Sequence, residues 1–117
     1  ASDVYKRQVL DYVLNLLVIR DSNQTTENLA ELRRQIDGID EQLLELLAKR
    51  MRISREIGVY KKEHNMPILQ SPRYSEILEK RSNMGEQMDL STDFVKEILK
   101  EIHEESVRQQ MIIMNEQ

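Results

Sequence analysis

Cysteine is absent from the 117 residues of this sequence. Without it the chain has no disulfide framework, no thiol nucleophile and no zinc site that needs thiolate ligands. Histidine is almost as scarce, with two residues, so a histidine-rich metal site is not expected. We therefore predict that the protein uses neither a metal ion nor a cofactor.

Glycine, proline and aromatic residues are also few, at 3 Gly, 2 Pro and 4% aromatics. Few turn-forming residues argue against a β fold rich in turns, and few aromatic and β-branched residues argue against a large sheet. The abundant Leu, Glu, Lys, Arg and Gln favour helices. The composition predicts an all-α protein.

The charge balance and the apolar runs exclude two classes of partner. A net charge of −4 is mild and does not indicate a nucleic-acid-binding protein. The longest apolar run, residues 9–19, is too short to span a bilayer and contains Asp11. We expect a soluble protein and, with no cysteine, a cytoplasmic one.

The first 27 residues are expected to lie outside the main domain. Residues 1–8 resemble the translation of a sequencing-library adapter and carry no expected fold information, although an ordinary internal fragment is the alternative. Residues 9–27 combine an apolar segment with a polar stretch, which we interpret as the end of an upstream domain and a linker. A membrane-surface helix is disfavoured there, because the segment lacks a face rich in Lys and Arg. The main domain is predicted over 28–117.

A long helix is predicted from Asn28 to about Asn65. Asn28 and Glu31 form a candidate capping box, and Met66-Pro67 ends the pattern. About 37 residues make a helix roughly 55 Å long, which one copy of a compact domain of about 100 residues, with a radius of gyration near 13 Å, cannot cover. We therefore expect a second copy to bury its apolar stripe: Leu29, Leu32, Ile36, Ile39, Leu43, Leu46, Ile53 and Ile57.

Two further helices are predicted after the long one. Ser71 is a candidate N-cap with Pro72 at the first helical position, and Gly85 is the expected stop of this short helix. Ser91 is the candidate N-cap of a third, long helix. The predicted architecture is long, short, long, paired with a second copy in a helical bundle.

A candidate anion site follows from a gap in the apolar stripe at Arg50. Ser54 and Gly58 follow at steps of four, and Lys61 returns to nearly the same face about 16 Å further along the helix. Two cations that bracket small residues suit a small dianion. The alternative is that Arg50 extends to solvent.

Polar residues on the later helices could complete such a site. Ser106 and Gln110 are four apart on the third helix, where a solvated face or an interhelical hydrogen bond is the alternative. Arg73 near the start of the short helix could bind an anion, or be simply exposed. His64 and His103 are interpreted as surface residues. With no evident acid, base or nucleophile, the site suits catalysis by positioning and electrostatics.

Several separated motifs resemble the all-helical chorismate mutases. The resemblance covers about 28–114 and rests on residues 32–40 (LRRQIDGID), 43–50 (LLELLAKR), 57–61 (IGVYK) and 104–110 (EESVRQQ). Residues 14–20 (LNLLVIR) further resemble the end of the DAHP synthase barrel in fused synthase–mutase enzymes, which predicts such a domain upstream.

The resemblance implies an intertwined homodimer that converts chorismate to prephenate on the route to phenylalanine and tyrosine. It implies that Arg33 of one chain and Arg50 of the other hold the substrate carboxylates, and that Lys61 and Gln110 contact the ether oxygen. Arg33 and Arg50 are 17 residues apart, roughly 25 Å along a helix, so one small substrate needs Arg33 from an antiparallel partner. The remaining expected substrate contacts are Arg73, Ser106, Ser54, Ile57, Gln70 and Tyr74.

Two positions depart from the family pattern. Many relatives carry Glu where this sequence has Tyr74, to accept a hydrogen bond from the ring hydroxyl, and often Asp where it has Gln70. Both replacements can still hydrogen-bond a hydroxyl, so altered affinity is expected while the cationic residues are intact.

Two other functions are weighed against the mutase. A non-catalytic dimerisation module could sense prephenate or chorismate for a fused synthase, although it would need none of the retained cations. A related lyase could release pyruvate from isochorismate in a similar pocket; the DAHP-synthase-like segment favours the mutase instead.

Overall fold

The described residues form three α-helices: α1 (Ser2–Glu63), α2 (Ser71–Gln87) and α3 (Thr92–Asn115). The computed structural model describes residues 2–69 and 71–116, with side chains for all of these except 2, 3, 17–22 and 71. No strand occurs in these ranges. The predicted all-α fold with long, short and long helices is confirmed.

The chain divides into two compact units inside α1. The first unit is Ala1–Leu44 and the second is Glu45–Gln117. The first unit consists of helix α1 alone, whereas the second contains the end of α1 together with α2 and α3. Every tertiary hydrogen bond described below belongs to the second unit.

The start of α1 differs from the prediction, and its end agrees. The helix is continuous from Ser2, so Asn28 is not an N-cap. Residues 21–27 contain no Gly or Pro, so nothing there interrupts the helical hydrogen bonds. At the other end Asn65 has φ 54°, and the Met66 amide donates to the Lys61 carbonyl at 2.8 Å. This Schellman motif ends the helix within two residues of the predicted position.

Helix α2 begins at Ser71, one residue before the predicted first helical position, but Gly85 does not stop it. The helix continues to Gln87, and the left-handed residue that follows is Asp89, with φ 61°. A Cβ atom at Gly85 would lie 2.6 Å from Cγ2 of the buried Val95. The glycine therefore serves the close approach of α2 to α3.

The N-cap of α3 is Ser91, as predicted. Its backbone is extended (φ −60°, ψ 130°), and its side chain accepts a hydrogen bond from the Phe94 amide at 3.4 Å. Asp93 in the first turn adds a favourable interaction with the helix dipole. These features fix where α3 begins, and thus the register of its polar residues.

Burial in the described residues is mostly polar. The buried polar side chains are Ser54, Ser82, Ser106 and Gln110, whereas Val95 is the single buried hydrophobic one. All eight residues of the apolar stripe are exposed, from 43% at Ile57 to 63% at Leu46. No helix in the described part of the chain is both long and apolar enough to cross a membrane.

Candidate functional site

A cavity of about 210 Å³ lies within the second unit and is lined by all three helices. It brings together eight of the ten residues that the sequence suggested. The lining residues are Arg50, Ser54, Ile57, Lys61, Ile68, Arg73, Tyr74, Ile77, His103, Ser106, Val107 and Gln110.

Arg50 is held by a short hydrogen-bond chain between α1 and α3. Its Nη1 donates to Ser106 Oγ at 2.6 Å, and Ser54 Oγ donates to the same oxygen at 3.1 Å. Ser106 Oγ in turn lies 3.8 Å from Met51 Sδ, to which it donates. The Ser106 hydroxyl thus uses its donor and both acceptor positions. The arginine is fixed at one nitrogen, and its other donors remain for a ligand.

Lys61 and Gln110 form the second polar pair of the cavity. Lys61 Nζ donates to Gln110 Oε1 at 3.3 Å and to the Ile68 carbonyl at 2.8 Å. Because the Gln110 carbonyl oxygen accepts from lysine, its Nε2 group remains as a donor. A Cβ atom at Gly58 would lie 3.2 Å from Gln110 Cα, so this glycine permits the close approach of α1 and α3.

The cavity is electropositive. Among the described residues no Asp or Glu lines it, and the ion pairs in that part of the chain, Arg34–Glu31 and Arg108–Glu105, lie elsewhere. Burial lowers the pKa of Arg50, with a further decrease from the nearby charge of Arg81. Burial also lowers the pKa of Lys61. Cations that are desolvated without a carboxylate partner favour an anionic ligand.

Two predicted site residues are not among the lining residues. Arg33 belongs to the first unit, Ala1–Leu44, so its role opposite a second copy remains a prediction. Gln70 lies outside the described residues. Tyr74, the other departure from the family pattern, lines the cavity and is half-buried.

The interpretation of His103 as a surface residue is wrong. His103 is half-buried, lines the cavity and stacks on Tyr74 with ring centroids 3.9 Å apart. Its spacing of three and seven residues from Ser106 and Gln110 places all three on one helix face, and this was the signal available in the sequence. His64 is exposed, as predicted.

Three apolar lining residues were also missed: Ile68, Ile77 and Val107. No cluster of three or more His, Cys, Asp or Glu side chains occurs in residues 2–69 and 71–116 that could hold a metal ion. What the cavity offers is fixed cations and neutral donors against an apolar wall. Such an arrangement can orient an anion and stabilise developing negative charge.

Comparison with known proteins identifies the domain. The family model "Chorismate mutase type II" matches residues 32–111. The T-protein of Haemophilus influenzae is 32% identical over 80 residues, covering 68% of this chain and 21% of that protein. The bifunctional chorismate mutase/prephenate dehydratases of Buchnera aphidicola and Escherichia coli are 34% identical over 88 residues and 31% identical over 93. They cover 75% and 79% of this chain, and 23% and 24% of the relatives.

The chain thus spans about a fifth to a quarter of the length of these relatives. None of these three names includes a DAHP synthase, and the comparison with that enzyme is not supported. The family match covers most of the region of resemblance and every described residue of the cavity. The chain belongs to the chorismate mutase type II family.

Proposed function

We propose that this chain catalyses the rearrangement of chorismate to prephenate in the biosynthesis of phenylalanine and tyrosine. The observation that carries the proposal is a cavity whose described lining includes three cations, Arg50, Lys61 and Arg73, and no carboxylate. Chorismate is a dicarboxylate and suits that charge. The printed names of the two bifunctional relatives, chorismate mutase/prephenate dehydratase, support the same activity.

The reaction needs no acid, base or nucleophile. One C–O bond breaks while one C–C bond forms within the same molecule, and no proton or group leaves. Negative charge grows on the ether oxygen as the C–O bond lengthens. Lys61 and the free Nε2 of Gln110 would donate to that oxygen, and donors fixed before the reaction stabilise the transition state more than the substrate.

The remaining cations restrict the conformation of the substrate. Arg50 is held by Ser106, so it can bind a carboxylate without first ordering its own side chain. Arg73, which also lines the cavity, would bind the substrate from α2. Holding the flexible enolpyruvyl ether in a chair-like conformer removes much of the entropic barrier.

We further propose a homodimer with shared active sites. The eight exposed residues of the apolar stripe need a cover, and burying a large aliphatic side chain contributes about 1.5–3 kcal/mol. A second copy of α1 would supply this cover and would place Arg33 of one chain against the cavity of the other. Cytoplasmic location is part of the same proposal and rests on the cysteine-free composition.

The test is the loss of chorismate ultraviolet absorbance with the purified chain, beside Arg50→Ala. The matched control is Arg55→Ala, because Arg55 contacts Gln109 on the exposed surface and does not line the cavity. Turnover that survives in Arg55→Ala and is lost in Arg50→Ala supports both the activity and the site.

The same assay separates the two other functions. A folded chain that binds prephenate without turning over chorismate would indicate a sensing module. Release of pyruvate from isochorismate, measured with a coupled dehydrogenase, would indicate the lyase. Either result in place of prephenate formation contradicts the proposal.

A further inference from the structure

The stacked rings of Tyr74 and His103 form a polar part of the cavity wall that the proposed mechanism does not use. The ring centroids are 3.9 Å apart, with an interplanar angle of 20°. Tyr74 comes from α2 and His103 from α3, and both are half-buried. The stack fixes the imidazole ring at the cavity without using its nitrogens.

Both rings retain hydrogen-bonding capacity. Among the described residues, no hydrogen bond involves a His103 ring nitrogen or the Tyr74 hydroxyl. No side-chain nitrogen or oxygen is fully buried without a partner in the described part of the chain. The His103 ring nitrogens are therefore not fully buried, and the residue lines the cavity.

Cations surround His103 on the elements packed around the cavity. Burial lowers its pKa, Arg50 of α1 lowers it further, and Glu104 of its own helix raises it. Lys61 of α1 and Arg73 of α2 line the same cavity, and the phenol ring of Tyr74 stacks on the imidazole. Burial and the charge of Arg50 favour the neutral imidazole, whereas a bound dianion would favour the imidazolium.

We propose that His103 is a further substrate-binding residue, positioned by Tyr74, which takes up a proton when the dianionic substrate binds beside Arg50. This inference rests on the mutase function proposed above. An imidazolium adds one more cation and one more N–H donor to the cavity. Neutral imidazole and imidazolium can both bind a polar ligand, but the charged form binds the dianion more tightly.

The inference separates binding from catalysis. The carboxylates carry the same charge in the substrate and in the transition state, so His103 contributes equally to both. A residue of this kind changes KM and leaves kcat nearly constant. As the pH falls from 8 to 5.5, protonation of His103 becomes easier, and KM for chorismate should decrease by about three- to tenfold.

Steady-state kinetics of the wild-type chain and His103→Gln over this pH range test the inference. Glutamine keeps a hydrogen-bonding group but does not titrate, so its KM should be nearly independent of pH while kcat stays close to the wild-type value. His64→Gln is the matched control. His64 is the other stacked histidine, with its ring 4.0 Å from that of Tyr60, but it is exposed and its Nδ1 is hydrogen-bonded to the Tyr60 carbonyl.

A second measurement needs no variant. The chain has two histidines, so their ring C–H signals can be followed by NMR during a pH titration with and without prephenate. We expect prephenate to raise the pKa of His103, the histidine that lines the cavity. This readout decides the inference even where His103→Gln fails to fold.

The results distinguish this inference from the proposed function. The inference is overturned and the mutase function stands if chorismate is converted but two results follow. These are that KM depends on pH equally in wild type and His103→Gln, and that prephenate does not change the pKa of His103. If the wild-type chain neither converts chorismate nor binds prephenate, both are overturned.

Discussion

In this chain the buried side chains are mostly polar and the apolar stripe is exposed, which is the reverse of the usual arrangement in a globular protein. Ser54, Ser106 and Gln110 are only 5–8% exposed, whereas Ile36 and Leu46 are 57% and 63% exposed. Hydrophobic side chains normally fill the interior, and polar ones are buried only when hydrogen-bonded. Around the cavity Ser54 donates to Ser106, and Gln110 accepts from Lys61. This difference is what the two proposals expect, namely that the interior binds a ligand and that a second copy covers the stripe.

Removing a cation from the polar interior should have the largest effect. Lys61→Ala deletes the proposed donor to the ether oxygen, and loss of one preplaced donor lowers kcat by about 10²–10³-fold. The variant is compared with Lys62→Ala in the chorismate absorbance assay. Lys62 is the adjacent lysine, donates to the Ile113 carbonyl at 3.1 Å and does not line the cavity. Turnover within a few-fold of wild type in Lys61→Ala would remove this lysine from the mechanism.

Introducing charged residues into the apolar stripe should have the next largest effect, which is on the association of two copies of the chain. Ile36→Asp combined with Leu43→Asp removes two large apolar side chains from the proposed interface, each contributing about 1.5–3 kcal/mol, and adds two charges. Sedimentation equilibrium should show a dimer for the wild type and a monomer for the double variant.

The control for the stripe is Glu41→Lys, because Glu41 lies on the opposite side of helix α1 from the stripe. It should remain dimeric. A dimer that persists in the double variant would show that the stripe is not the interface. The exposure of the stripe would then need another explanation.

Alanine substitutions at two glycines distinguish the effect of close packing on stability from the effect of helix propensity. Gly85→Ala places a Cβ atom against Val95, and overpacking of this kind costs about 1–3 kcal/mol. Gly38→Ala places a Cβ atom where no atom lies within 4 Å, so it should stabilise the helix by up to about 1 kcal/mol. Urea unfolding followed by circular dichroism measures both. Destabilisation of equal size in both variants would contradict the close approach at Gly85.

The parts of the fold that depend on local chemistry could be predicted from the sequence. The proline at position 67 follows the end of α1, and Ser91 caps α3 through a bond three residues away. The one-sided spacing of Arg50, Ser54 and Lys61 needs only helix geometry, and all three line the cavity.

The features that depend on distant residues could not be predicted. Asn28 and Glu31 fit the interior of a helix as well as its start, so the pair alone does not locate an end. Gly85 looked like a stop because its close contact, Val95, lies on another helix. His103 looked exposed because the ring that covers it, Tyr74, is 29 residues earlier in the sequence.

The smallest expected effect is that of pH on kcat. Gln110 does not titrate, so kcat should be nearly independent of pH from neutral to mildly alkaline conditions. The limit is set by Lys61, whose pKa is lowered by burial. As the pH rises through that pKa the ammonium loses its proton and kcat should fall, at a pH below that of an ordinary lysine. Stopped or continuous absorbance assays over this range measure the profile, with circular dichroism to confirm the fold.

Lys61→Arg identifies the group responsible for the alkaline limit. Arginine keeps its charge at every pH of the experiment, so the decrease should disappear even where the variant is slower than wild type. A steep loss already near neutral pH in the wild type, with the helices intact, would contradict a site built from a neutral amide and a lysine. The same loss retained in Lys61→Arg would assign it to another group. If the donors act without exchanging protons with the substrate, kcat should stay constant with pH until Lys61 loses its proton.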